Sequence, residues 1–178
     1  MLGTFPPKAV RWSMDFFYPN WTNDMWRIAG LVFEGDREAF CRTGEKTFDL
    51  LRIKQLLDAQ GIALWDTAMA VRRLKDNASD QFLEIVEPID LLALLDEHPT
   101  IKAVITTGTK ATEVVATIAG CKVPEVGGSV DCVVGVHDLQ LWRMPSSSRA
   151  YPLALERKAA AYAKMFEALG CNVKQTKQ

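Results

Sequence analysis

The spacing of apolar residues changes several times along the chain, and each change marks an element. Thr22 or Asn23 can cap a helix that runs to about Phe33. A second helical period covers Thr47 to Gln60, with Phe48, Leu51, Leu56 and Leu57 on one face and Gly61 as its stop. Ile62 to Asp66 reads as a buried strand ending in a carboxylate. Residues 67–87 are charged and without a clear period, and read mostly as loop. Pro88 is placed to open a helix to about Glu97. Ile101 to Thr107 is a β-branched run that predicts a buried strand, Gly108 makes a turn, and Lys110 to Ala119 forms the next helix. Val130 to Val136 and Leu139 to Met144 predict two strands paired around His137-Asp138. A last helix spans Pro152 to Leu169 and stops at Gly170.

Strands that alternate with helices predict an α/β fold with a mainly parallel sheet. Ligands of such sheets sit beyond the carboxyl ends of the strands. Four segments fall there: the turn at Gly3, the loop after Asp66, the turn at Gly108, and the loop Met144 to Arg149. Only Met1 and Leu2 precede Gly3, so the strand feeding that turn is expected to be very short.

Composition narrows the class. The chain has 178 residues, 48% of them hydrophobic, enough for one domain with a sizeable core over 1–178 and too apolar for disorder. No apolar run reaches the roughly 20 residues of a membrane span, and no signal-peptide pattern opens the chain, so the expected compartment is cytoplasmic. The four cysteines, Cys41, Cys121, Cys132 and Cys171, form no C-x-x-C pair, and only His98 and His137 could join them. A zinc or iron–sulfur centre is therefore not expected. Net charge is −1, which does not advertise a nucleic-acid binder. The halves differ: residues 1–97 carry 11 Lys/Arg and 16 Asp/Glu, and residues 98–178 carry 10 and 6.

Two segments carry candidate chemistry. Near the start, Gly3-Thr4-Phe5-Pro6-Pro7 is followed by Phe16-Phe17-Tyr18 and then Asn23, a turn closely followed by stacking surface and an amide. Near the end, Pro145-Ser146-Ser147-Ser148-Arg149 is a hydroxyl loop with a cation. Aromatic rings can hold a flat base, and such loops can contact phosphate. A site with both features suits a base taken out of nucleic acid.

The same segments resemble the uracil-DNA glycosylase superfamily, most closely its hypoxanthine-DNA glycosylase branch. A G-T-F-P turn is matched by Gly3-Thr4-Phe5-Pro6. A Y-x-x-x-x-N-R-F-W segment is matched by Tyr18 to Trp26, with Asp24-Met25 in place of R-F. An I-A-L-W-D strand with a later S-D is matched by Ile62 to Asp66 and Ser79-Asp80. A T-G with a following K-A is matched by Thr107-Gly108-Thr109-Lys110-Ala111. The motif L-P-S-T-S-P-A is matched by Met144 to Ala150. The five motifs come in the family's order and span nearly the whole chain.

The resemblance implies a three-layer α/β/α sandwich and a monofunctional DNA glycosylase. That enzyme would flip a deaminated base, hypoxanthine or uracil, and hydrolyse its N-glycosidic bond. It would need no metal, cofactor or lyase lysine, and would act on DNA as a monomer. Tyr18 matches the residue that stacks on the base. Asn23 matches the asparagine of the N-R-F-W segment and is the expected catalytic residue, orienting water; an amide there also suits a helix cap. Gly3, Thr4 and Phe5 are expected at the base, Phe5 through its N–H, with Asp66 and Asp80 bonding to the base or orienting Asn23. Strand-end aspartates equally serve as caps. Gly108, Lys110, Ser146, Ser147, Ser148 and Arg149 are expected at phosphates or in the vacated stack, although Ser148 suits a helix cap and Lys110 a solvated position. Arg72 and Arg73 read as solvated.

Two positions depart from the wider superfamily. Phe5 stands where many relatives carry Asp or Asn, and Met144 where several carry His or Asn to stabilise the departing base. The alternative is therefore a catalytically silent module that holds nucleic acid or a nucleotide. A flavodoxin-like small-molecule enzyme has less support, since the chain has no G-x-G-x-x-G and no P-loop.

Overall fold

The computed structural model describes residues 1–74 and 82–174. Its contacts fall into two compact units, each discontinuous in sequence: Met1–Pro6 with Leu64–Met144, and Pro7–Ala63 with the chain from Pro145 onward.

The first unit is built on a sheet. Its elements are β1 (Leu2–Gly3), β2 (Trp65–Asp66), β3 (Ala68–Arg73), β4 (Leu83–Pro88), a helix Leu91–Glu97, β5 (Ala103–Thr107), a helix Thr109–Ala119, β6 (Ser129–Val134) and β7 (His137–Met144). Among the described residues the main sheet has the order β2-β1-β5-β7-β6. β2, β1, β5 and β7 are parallel, and β6 runs antiparallel on β7. The α/β class with a mainly parallel sheet is thus the architecture expected from the alternation of strands and helices. β5 is buried from Val104 to Thr107, as suits a central parallel strand. β7 alternates, with Leu139 and Leu141 buried and Gln140 exposed. Helix Thr109–Ala119 lies on β5, β6 and β7. Its Val115 and Ala116 join Leu2, Leu95, Val104, Leu139 and Leu141 in one apolar cluster.

Three expectations for this unit need correction. Residues 67–87 are not mostly loop: β3 and β4 form an antiparallel hairpin. Their charges are spent across the pair, where Arg72 meets Glu84 at 3.0 Å, so the strands show no apolar period. Pro88 ends β4 instead of opening a helix, and the Asp90 carboxylate caps the helix that follows by accepting the Ala93 N–H at 3.0 Å. Only Trp65 and Asp66 of the expected buried strand enter the ladder, and Trp65 is 44% exposed because β2 lies at the sheet edge.

The second unit is helical. We label the helices in chain order: α1 (Met25–Ala29), α2 (Leu50–Gln60), α3 (Leu91–Glu97) and α4 (Thr109–Ala119) in the sheet unit, and α5 (Leu155–Ala168). α1 passes into a π-helical turn at Gly30–Glu34, closed by Gly35 with φ 71°. Gly30 is required there, since a Cβ would lie 2.4 Å from the Asp36 carbonyl. α2 begins later than its apolar period, at Leu50, because Asp49 caps it; it stops at Gly61 as expected. Leu51, expected on its apolar face, is 67% exposed. α5 packs on α1 and the π turn. It begins at Leu155, so Ser148 is not its cap. The buried face of α5 is Lys158, Ala159, Tyr162, Met165 and Phe166, a helical stripe with one lysine in it.

Candidate functional site

In the sheet unit the strand ladder gathers the expected edge residues. Gly3 pairs with Asp66, Leu2 with Thr106, and Thr107 with Met144, so four parallel strands end level. The Gly3 carbonyl accepts the Thr67 N–H at 2.8 Å and the Thr4 carbonyl accepts the Ala68 N–H at 3.2 Å. Thr4 is buried by this, and Phe5 is half-buried. The Arg73 guanidinium stands 6.0 Å from the Phe5 ring centre and donates to the Pro6 carbonyl at 2.5 Å. Arg73 is therefore part of the edge and only half-exposed, where the sequence suggested a solvated side chain.

Gly108 takes φ 93°, which an L side chain rarely adopts, and donates its N–H to the Met144 carbonyl at 3.0 Å. Behind it the hydroxyls of Thr106 and Thr112 lie 2.8 Å apart, within reach of the Trp142 and Gly108 carbonyls. The Lys110 ammonium donates to the Leu83 carbonyl, and Leu83 is the β4 partner of Arg73. Gly3, Thr4, Phe5, Asp66, Gly108 and Lys110 thus share one edge of this unit, and Met144 ends its strand fully buried. Asp80 lies outside the described residues.

In the helical unit, Tyr18 is, among the described residues, the one non-glycine with positive φ, 50°. Its ring stands edge-on to Trp26, centres 6.2 Å apart. Asn23 is placed by several bonds. Its side-chain oxygen accepts the Met25 N–H at 2.9 Å, an Asx-type cap that leaves the amide nitrogen as a donor. Arg27, buried, donates to the carbonyls of Trp21 at 2.9 Å and Asn23 at 3.3 Å, with its guanidinium 4.2 Å from the Trp21 ring centre. Asn23 also forms an antiparallel bridge with Ser148, and the Asp24 N–H donates to the Ser147 carbonyl at 2.9 Å. The structure thereby brings Asn23 beside Ser146–Arg149.

Hydroxyls shape the loop. The Ser146 Oγ accepts the Ser148 N–H at 3.2 Å and the Ser148 Oγ accepts the Ala150 N–H at 3.3 Å. Ser147 is buried and Arg149 exposed. The Tyr162 hydroxyl donates to the Pro145 carbonyl at 3.0 Å. Burial, and secondly the neighbouring Tyr18 phenol, push the Tyr162 pKa well above its ordinary value, so this hydroxyl stays a neutral donor.

A charged cluster that sequence reasoning missed ties the two segments. The Asp24 carboxylate accepts from Lys158 Nζ at 3.1 Å through one oxygen and from Arg149 Nε at 3.1 Å through the other. Lys158 Nζ also donates to the Ser148 carbonyl at 2.7 Å. The lysine side chain is 1% exposed and the aspartate 9%. The signal in sequence was a lysine on the apolar stripe of α5, one turn before Tyr162. Asp24 occupies the place of an arginine in the resembled segment and Arg149 that of a proline; the two departures meet each other. Comparison with family models, curated proteins and solved structures returns no match. No helix among the described residues is long and apolar enough to cross a membrane.

Proposed function

We propose that this chain is a monofunctional DNA glycosylase of the uracil-DNA glycosylase type, hydrolysing the N-glycosidic bond of a flipped deaminated base, hypoxanthine or uracil. The observation that carries the reading is the level ending of four parallel strands at Gly3, Asp66, Thr107 and Met144, each at a segment of the ordered motif set. The carboxyl edge of a parallel sheet is where ligands of this fold class bind. The resemblance, taken by itself, implies stacking on the base for Tyr18 and the orienting of water for attack on C1′ for Asn23. The bond from C1′ to the base nitrogen breaks as the C1′–oxygen bond forms, and the water's proton ends on the departing base. Backbone N–H groups carry the developing base charge, since Phe5 and Met144 have no side-chain donor.

The test is single-turnover cleavage of oligonucleotides carrying one uracil or one hypoxanthine, as single strand and as duplex, with abasic sites read by alkaline scission. Asn23→Ala is expected to slow cleavage about 100-fold or more. A cleavage rate unaffected by Asn23→Ala sinks the catalytic assignment. The second reading, a silent module that binds nucleic acid, is favoured by the full burial of Met144, which removes that side chain from any ligand. DNA bound at excess protein without cleavage supports it.

A further inference from the structure

The Asp24 cluster holds two cations against one carboxylate, and the two are unequal. Lys158 is 1% exposed and bonded to both Asp24 and the Ser148 carbonyl; Arg149 is 51% exposed and bonded to Asp24 through Nε. If Arg149 leaves, Asp24 is still neutralised. If Lys158 were lost, a nearly buried carboxylate would depend on Arg149 alone. We infer that Arg149 is a phosphodiester-binding residue whose release from Asp24 is made possible by Lys158. The inference rests on the nucleic-acid reading above and names the ligand class of the Ser146–Arg149 loop. The Arg149 guanidinium is half in water and held at one atom, so an incoming phosphate can displace the carboxylate, whereas the buried Lys158–Asp24 pair stays shut. The loop keeps its shape in the exchange, because Lys158 continues to hold the Ser148 carbonyl and Tyr162 the Pro145 carbonyl.

The test is anisotropy of a labelled single-stranded DNA against salt, using the full chain. The slope of log affinity against log salt counts phosphate contacts, about 0.7 for each on a single strand. Arg149→Ala should lower the slope by about that amount. Lys158→Met should lower it equally although Arg149 remains, since Asp24 then retains the guanidinium. The double variant Asp24→Asn with Lys158→Met should restore the wild-type slope, and Asp24→Asn alone should tighten binding. The last two keep the inference testable if Lys158→Met does not fold, which a melting curve will report. A wild-type slope in folded Lys158→Met, or a double variant no better than Arg149→Ala, overturns the inference and leaves the nucleic-acid reading standing. Wild type that binds no DNA overturns both. Expected slopes together with no cleavage of the uracil or hypoxanthine oligonucleotides at excess protein support the inference and overturn the glycosylase for these bases.

Discussion

The two units fix their candidate residues by different means. In the sheet unit, Gly3, Asp66, Thr107 and Met144 are placed by backbone ladders, and side chains add little to their positions. In the helical unit, Asn23 and the Ser146–Arg149 loop come from segments far apart in sequence, and buried charge joins them: the Asp24–Arg149 bond spans 125 residues and the Asp24–Lys158 bond 134. Backbone registration tolerates changes of side chain. Charge registration weakens when the buried partner goes, because Lys158 is the cation held inside with Asp24. It can also be switched, which a strand ladder cannot.

The largest expected effect therefore comes from the buried lysine of the helical unit, set against a lysine of the sheet unit. Lys158→Met should lower the unfolding free energy by about 3 kcal/mol, since it leaves the nearly buried Asp24 carboxylate with only the half-exposed Arg149 as its cation. Lys110→Met, which breaks a half-exposed bond to the Leu83 carbonyl, should cost about 1 kcal/mol or less. Asp24→Asn added to Lys158→Met should recover much of the loss, because the nearly buried charge that lost its inner cation is gone. Urea unfolding of the three variants measures this. Equal losses for the two lysines would end the distinction between backbone and charge registration.

This distinction also explains what the sequence made legible. β5 and β7 were readable because a central parallel strand is a continuous apolar run and its neighbour alternates. The stops at Gly61 and Gly170 and the turn at Gly108 were readable because each needs positive φ, and all three have it. The β3–β4 hairpin was not, because charged pairs such as Arg72–Glu84 leave no apolar period. α1 ends sooner than its apolar spacing suggests; the backbone of Asp36 approaches Gly30, and the last turn widens into a π turn. For the candidate site, strand-end residues could be placed in order from turn signals alone. The Asp24–Lys158 pair could not: a lysine on the apolar stripe of α5 signals a buried partner, but nothing near it in sequence names one 134 residues away.

A middle-sized effect sharpens the comparison by removing uncharged hydroxyls. Thr112→Val in the sheet unit takes a donor from the Gly108 carbonyl, and Tyr162→Phe in the helical unit takes one from the Pro145 carbonyl. Both sites are buried, so each should cost about 1–2 kcal/mol. If charge alone separates the units, the two losses will match. A Tyr162→Phe loss as large as that of Lys158→Met would mean that the helical unit is fragile throughout.

The smallest effect uses one thiol in each unit. Burial pushes Cys132 of the sheet unit from 9.0 to about 11, with the neighbouring Cys121 thiol adding to it. Burial likewise pushes Cys41 of the helical unit from 9.0 to about 11, with Glu38 next in weight. A raised acid pKa means that the folded state keeps a proton the unfolded chain has released. The stabilisation is complete below pH 9.0 and is lost as pH rises towards about 11. From pH 8 to pH 9.5 the loss should stay below about 1 kcal/mol per thiol. Cys132→Ala and Cys41→Ala should each flatten the decline of the urea midpoint over that range, and by similar amounts, because burial is the leading cause in both. A decline as steep in either variant as in wild type would remove that thiol from the alkaline response. A flattening confined to Cys41→Ala would show that nearby carboxylates outweigh burial, extending the contrast between the units from paired charges to single ones.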